Sequence, residues 1–345
     1  MWESMGVEVV YLSHDVFYQH FAGDRHVERS ERLRAVADGM HRSGLAIKPV
    51  VPLPADRAAL TLVHDPPYVD ALEEFCLRGG GSIDSDTHAV VATWEASLRA
   101  AGSGLTAIPV LDPGGIALAA VRPPGHHATS NRAMGFCFLN NVAVAAAHLR
   151  RQGSRVAIID WDVHHGNGTQ EMFLDAAEVL YVSIHQAPFY PLTGQIEDIE
   201  KGQGTTVNLP IPHLTGGDLY RRAFEELVSP IVTQFQPDWL LISAGYDAHQ
   251  NDPLGGLRLQ ASDYGYMAQR LREILPVAPA IVFLEGGYDL EALASGVDAT
   301  LRGLADLSDF SGAGDFADEL DNRSPQLAYQ ALEVAKQHAA RFWSL

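Results

Sequence analysis

A chain of 345 residues, 47% hydrophobic and 19% charged, has ample apolar content for one large folded core. Its formal net charge of −19, from 43 acidic against 24 basic residues, argues against nucleic acid as a partner, because phosphate binding needs basic patches. The same charge suits a cationic substrate.

No apolar run approaches the roughly 20 residues of a membrane span, so no membrane partner is expected. The opening residues carry Glu3 and no basic leader pattern, and read toward a first strand. Two cysteines, Cys76 and Cys137, are too few for a disulfide framework, which makes the cytoplasm the expected compartment. No Pro/Ser-rich linker or charge block divides the chain, so one domain over residues 1–345 is expected. The acidic segment 306–321 reads as solvated surface.

Strand-like and helix-like segments alternate. The predicted strands are 7–12, 115–120, 156–161, 179–185, 205–211, 239–245 and 280–287. The predicted helices are 31–43, 93–111, 140–152, 218–234, 261–275 and 290–304. Buried β-rich runs alternating with helices imply an α/β fold with a parallel sheet covered on both faces. Polar clusters fall just after the strands: 122–127, 160–167, 185–194, 247–256 and 286–288. Ligands bind at the carboxyl ends of the strands in open α/β sheets, so five motifs point to one edge.

The most informative cluster is VAIIDWDVHHGNGT, residues 156–169. Alternate residues of a strand share a face, so Asp160, Asp162 and His164 are expected to project together from the end of one buried strand; the alternative is a polar strand end with solvated carboxylates. Two carboxylates and an imidazole before a glycine-rich turn make a ligand set for Zn²⁺ or a similar divalent ion. Asp247, in SAGYDAH, supplies a third metal ligand beside Asp162 and His164, or else caps the next helix. Three protein ligands with a free position are what a hydrolytic zinc site needs. RPPGHHA, residues 122–128, presents His126 and His127 on a stiff turn, and imidazoles suit proton transfer near neutral pH. In LEGGYD, a Gly-Gly turn precedes Tyr288, whose hydroxyl could donate to a developing oxyanion. Gly135 and Phe136 in GFCFLNN, with Tyr190 in APFYP, could wall a narrow tunnel for an alkyl chain; core packing is the alternative for either ring.

Together these segments resemble the histone deacetylase superfamily, including bacterial acetylpolyamine amidohydrolases and acetoin-utilisation-type deacetylases. The resemblance runs from about His64 in LTLVHDPPYVDAL to Tyr288. It implies the arginase/deacetylase fold, an open eight-stranded parallel sheet with helices on both faces. It also implies a zinc-dependent hydrolase that removes acetyl or similar acyl groups from an amine such as acyl-lysine. One zinc per chain would be held by Asp162, His164 and Asp247. His126 and His127 match the tandem histidines, the second being the principal general base and acid. Asp160 matches the carboxylate that orients the first histidine. Asn167 stands where class I members carry Asp, as is typical of the class II-like branch. Tyr288 matches the residue that polarises the acyl carbonyl. Asp160, Asp162, His164, Ser183 and Ile184 match a structural potassium site, mainly through backbone oxygens. Phe173, Ala176, Val179 and Thr205 match a second one by alignment alone.

The chain also departs from the family pattern. His26-Val27-Glu28-Arg29-Ser30 stands where relatives have His-Pro-Glu-Arg-Pro, which leaves the shape of that rim loop open. Asp86 matches the rim aspartate that holds the substrate backbone. Leu254, after Asp252-Pro253, stands where the polyamine-selective branch has Glu, which tilts the substrate toward acyl-lysine. The competing readings are an acetylpolyamine amidohydrolase, an arginase-like binuclear manganese hydrolase and a non-catalytic acyl-ligand-binding protein. The manganese enzyme needs further bridging aspartates, and position 166 is Gly. The sequence leaves the oligomeric state open, a homo-oligomer included.

Overall fold

The computed structural model describes residues 7–307, 310 and 324–345; most of the acidic segment 306–321 therefore lies outside the described residues. Eight strands form one sheet: β1 (Glu8–Leu12), β2 (Ala46–Val50), β3 (Ile116–Ala119), β4 (Val156–Asp160), β5 (Val179–Gln186), β6 (Thr206–Ile211), β7 (Trp239–Ala244) and β8 (Ala280–Leu284). Their spatial order is β2-β1-β3-β8-β7-β4-β5-β6, and every pairing is parallel. This is the α/β arrangement the sequence implies.

Residues of β3, β4, β5 and β8 are all buried, so both faces of the sheet's centre are covered. On one side the helix Val91–Ala107 packs against Asn141–Arg151. A second group joins Glu31–Arg42, Leu290–Leu304 and Ala261–Ile274. Caps start these helices where the sequence places polar residues. Asn140 accepts from the Ala143 amide at 3.0 Å, and Asp289 from the Ala292 amide at 2.8 Å.

The helices Pro66–Leu77 and Ser324–Ala339 were not among the predicted ones, and two further differences from the sequence reading have a local cause. Strand β2, AIKPV, is an edge strand with Pro49 in it, so it lacks the continuous apolar run of its neighbours. The predicted helix 218–234 is two helices, Gly217–Ala223 and Ser229–Phe235, joined by a wide π turn at Phe224–Val228. Pro230 has no amide to give the carbonyl four residues back, and the amide of Ser229 reaches Phe224 instead.

Candidate active site

The loops after β3, β4, β5, β7 and β8 meet at the carboxyl edge of the sheet. They enclose a cavity of about 350 Å³, lined among others by His126, His127, Asp162, His164, Phe136 and Tyr288. Asp247 stands beside it and completes a group that could hold a metal ion: Asp162, His164 and Asp247 each bring one donor atom within 4.8 Å of the others. His164 Nδ1 lies 3.0 Å from Asp162 Oδ1 and 3.2 Å from Asp247 Oδ2. An ion about 2.0–2.1 Å from each of three tetrahedral ligands would space them by roughly 3.3 Å, so the donors stand at close to the right separation.

The route by which β4 delivers these ligands is not the simple alternation expected. The strand stops at Asp160. Asp160 Oδ1 accepts from the Asp162 amide at 3.2 Å and Asp162 Oδ1 from the His164 amide at 2.9 Å, turning the backbone out of the ladder. Long-range bonds then aim the carboxylates. Asp162 Oδ2 accepts from the Gly286 amide at 2.8 Å, and Asp247 Oδ1 from the Val163 amide at 2.9 Å. Gly286 must lack a side chain, since a Cβ there would run into both carboxylates. Burial and the neighbouring Asp162 raise Asp247 to about 7, while burial works against a charge on His164 and the two carboxylates overturn it, lifting His164 to about 10. The three groups call for a positive charge between them, which a proton or a metal ion can supply.

The tandem histidines have opposite surroundings. His126 Nδ1 sits 3.1 Å from Asp160 Oδ2, which also accepts from the Tyr181 hydroxyl at 3.0 Å. Burial opposes a charge on His126, but Asp162, Asp160 and Glu285 overcome it and raise the ring to about 10. His127 Nδ1 instead meets Asn167 Oδ1 at 2.9 Å. Burial, then His126 and His164, hold His127 well below the ordinary imidazole value. So His126 keeps a proton and His127 keeps a lone pair.

Aromatic rings wall the cavity. Phe136 takes a left-handed backbone, φ 68°, that non-glycine residues rarely adopt. Its amide bonds Thr87 Oγ1 at 3.2 Å, and His26 stands edge-on to its ring at 4.7 Å. Gly135 passes so close to His127 that a Cβ would come within 2.5 Å of the imidazole. Tyr190, which lines the cavity, meets His127 edge-on at 5.2 Å, and Phe189, which the sequence reading passed over, stacks on His164 at 5.2 Å and 15°. Val27, Asp86 and Leu254 line the same cavity. Asp86 also accepts from His26 Nε2 through its carbonyl at 3.1 Å, so the rim loop lacking its prolines is pinned by His26. Ser183 and Ile184 lie within β5 and do not line the cavity; Ser183 Oγ bonds His185 Nδ1 at 2.9 Å.

The structure adds residues that sequence reasoning missed. Glu285 is fully buried and accepts from the amides of Gly125 at 2.7 Å and His126 at 3.1 Å, tying β8 to the histidine turn. Burial raises its carboxyl to about 7. Glu28, also buried, receives Arg122 through both oxygens, at 2.5 and 2.6 Å, and Arg32 at 3.1 Å. Glu28 precedes the helix Glu31–Arg42 and belongs to the segment His26–Ser30 that the sequence reading named only for its missing prolines; its charge partners Arg122 and Arg32 come from outside that segment.

The chain matches the family model described as "Histone deacetylase domain" over residues 26–304. It is 36% identical to a "Probable deacetylase" of Archaeoglobus fulgidus over 351 residues, covering 96% of this chain and 97% of that protein. It is 38% identical to "Histone deacetylase 10, chloroplastic" of Oryza sativa subsp. japonica over 309 residues, covering 81% of this chain and 69% of that protein. Among solved structures, the HDA15 HD domain superposes with a TM-score of 0.85 at 31% identity, covering 97% of each chain. With the tandem histidines, Asp162, His164 and Tyr288 lining one cavity and Asp247 beside it, and with this likeness along nearly the whole chain, the protein belongs to the histone deacetylase family.

Proposed function

We propose that this chain is a zinc-dependent deacetylase that hydrolyses the amide of an acylated amine, with acyl-lysine favoured over acetylated polyamines. The observation that carries the reading is the meeting of a three-donor metal group with a proton-accepting His127 and Tyr288 on one aromatic-walled cavity. The carboxylate–imidazole–carboxylate set fits a single Zn²⁺ held by Asp162, His164 and Asp247. When bound, such an ion supplies Lewis-acid polarisation of the acyl carbonyl and a more acidic water.

The chain's own residues do the rest. Tyr288, 7% exposed, lines the cavity and donates its hydroxyl to the acyl oxygen as charge develops there. His127 accepts the proton of the attacking water at Nε2, because Asn167 already engages Nδ1. A protonated histidine then returns a proton to the leaving amine. Phe136 and Tyr190 hold the alkyl chain and exclude water. Asp86 is placed to meet the remainder of the substrate at the mouth. Leu254 offers no carboxylate to a distal ammonium, which supports an acyl-lysine substrate.

The same reading gives potassium structural roles, one ion on the oxygens of Asp160, Asp162, His164, Ser183 and Ile184, and another on Phe173, Ala176, Val179 and Thr205. Asp160 and Ser183 are register partners on adjacent strands, which brings these two of the first set side by side. A cytoplasmic setting is supported by two free, buried thiols; among the described residues no helix is long and apolar enough to cross a membrane.

The test is hydrolysis of a fluorogenic acetyl-lysine substrate before and after chelation, with metal analysis of the same samples. One equivalent of zinc and chelator-sensitive activity are expected, and Asp247→Ala should lose both together. Two metals per chain, or chelator-resistant activity, would sink the proposal.

A further inference from the structure

Tyr288 is not held by its own strand. β8 ends at Leu284, and Tyr288 follows Gly286 and Gly287, whose backbone has little stiffness of its own. Groups from elsewhere hold it. Arg32, on the helix Glu31–Arg42, donates from Nε to the Gly287 carbonyl at 2.6 Å, and its guanidinium lies 4.9 Å from the centre of the Tyr288 ring.

Asp252 closes the other side, buried at 7% exposure. Its Oδ2 accepts from the amides of Tyr288 at 2.6 Å and Asp289 at 3.2 Å. Its Oδ1 accepts from the amide of Leu254 at 2.9 Å. Leu254 lines the cavity with Tyr288. One carboxylate therefore carries three amides, two from the tyrosine loop and one from the rim. Its own loop is anchored too, through the Asp252 amide to the His249 carbonyl at 2.9 Å.

We propose that Asp252 is the positioning residue for Tyr288, setting where the phenol hydroxyl stands over the metal-ligating group and linking that position to the rim loop at Leu254. The proposal rests on the reading of Tyr288 as donor to the acyl oxygen. Both carboxylate oxygens are in use, and both as acceptors. An asparagine keeps the shape but offers one acceptor, and its NH₂ must then face a backbone N–H. The phenol is a long lever: a swing of about 10° at the backbone moves the hydroxyl by roughly 1 Å, and displacement of that size costs on the order of 10²-fold in rate.

The experiment is a double-mutant cycle on a fluorogenic acetyl-lysine substrate, using Asp252→Asn, Tyr288→Phe and the pair. Asp252→Asn should lower kcat by about tenfold or more, with KM within about twofold and metal content unchanged. In the Tyr288→Phe background the same substitution should cost less than about twofold, because the hydroxyl it positions is gone. Equal losses in both backgrounds, an effect confined to KM, or loss of metal from Asp252→Asn overturns the proposal. A fully active Tyr288→Phe overturns the reading of Tyr288 instead, so the two failures are distinct. If Asp252→Asn is too unstable to purify, Asp252→Ser, whose hydroxyl still accepts from the Leu254 amide, completes the same cycle.

Discussion

The ring of His127 rests on an amide, with Nδ1 2.9 Å from Oδ1 of Asn167. The Asn167 NH₂ is turned to the His127 carbonyl at 3.4 Å, so the oxygen faces the ring and Nδ1 carries the proton. His126, next in the chain, faces the carboxylate of Asp160. Two adjacent histidines thus meet different surroundings: the carboxylate of Asp160, at the end of β4, favours the cation on His126, whereas the amide of Asn167, at the start of the helix Asn167–Phe173, brings no charge and its hydrogen bond only partly offsets the burial and the neighbouring histidines that keep His127 neutral.

That contrast gives a pH prediction. His127 sits well below the ordinary imidazole value because of burial, then His126 and His164. As a base it works only when neutral, so activity falls as pH drops through its pKa. Asn167→Asp would favour the imidazolium and move the acid limb of kcat/KM to higher pH, by about one unit or more. An unmoved limb would show that another group sets it.

Removing the phenol hydroxyl tests Tyr288 directly. Tyr288→Phe should retain its metal and lower kcat by about 10²-fold or more, the scale for losing one oxyanion donor. Steady-state kinetics with metal analysis decide it. A Phe variant with wild-type kcat would make Tyr288 a packing residue.

Glu28 predicts an acid-sensitive fold. Burial alone would raise its carboxyl, but Arg122 and His20 hold it well below its ordinary 4.5. A depressed folded value means the contribution to stability is fully present above about 4.5, erodes as the unfolded chain takes up the proton, and is gone once pH has fallen through the folded value. Glu28→Gln should therefore destabilise by about 3–5 kcal/mol near neutral pH, as expected for breaking a buried pair. Its deficit should shrink below about pH 4.5. Urea midpoints at pH 7 and pH 4 check this; a deficit independent of pH contradicts it.

Substrate choice is tested at Leu254, which lines the cavity mouth beside Val27. Leu254→Glu should raise activity on acetylated polyamines relative to acetyl-lysine, by pairing with a distal ammonium. If the unmodified protein already prefers N-acetylputrescine tenfold in kcat/KM, about 1.4 kcal/mol of differential transition-state binding, the acyl-lysine preference is wrong. The metal and histidine assignments would survive that result.

The sequence by itself determined what local spacing controls. Seven of the eight sheet strands were legible: the central ones because a strand buried on both faces reads as a near-continuous apolar run, and β6, the other edge, because Val207, Leu209 and Ile211 alternate despite Pro210. The meeting of Asp162, His164 and Asp247 in a group that could hold a metal ion, beside the paired histidines and Tyr288, was legible as well, because each sits in a short polar motif at a strand end. β2 was not, since this edge strand carries Lys48 and Pro49 and buries none of its five residues, leaving neither an apolar run nor an alternating face. Only the tertiary structure decided which carboxylates serve the site without standing in it. Glu285 reaches the amides of Gly125 and His126 across 160 residues of chain, Asp252 reaches Tyr288 across 36, and Glu28 reaches Arg122 across 94. Phe189 and Tyr190 were likewise separable only in three dimensions, one stacked on His164 and the other edge-on to His127. The physical reason is the same in each case. A buried acid or ring takes its role from the partner it meets, and that partner is set by sheet order and loop path rather than by neighbours in sequence.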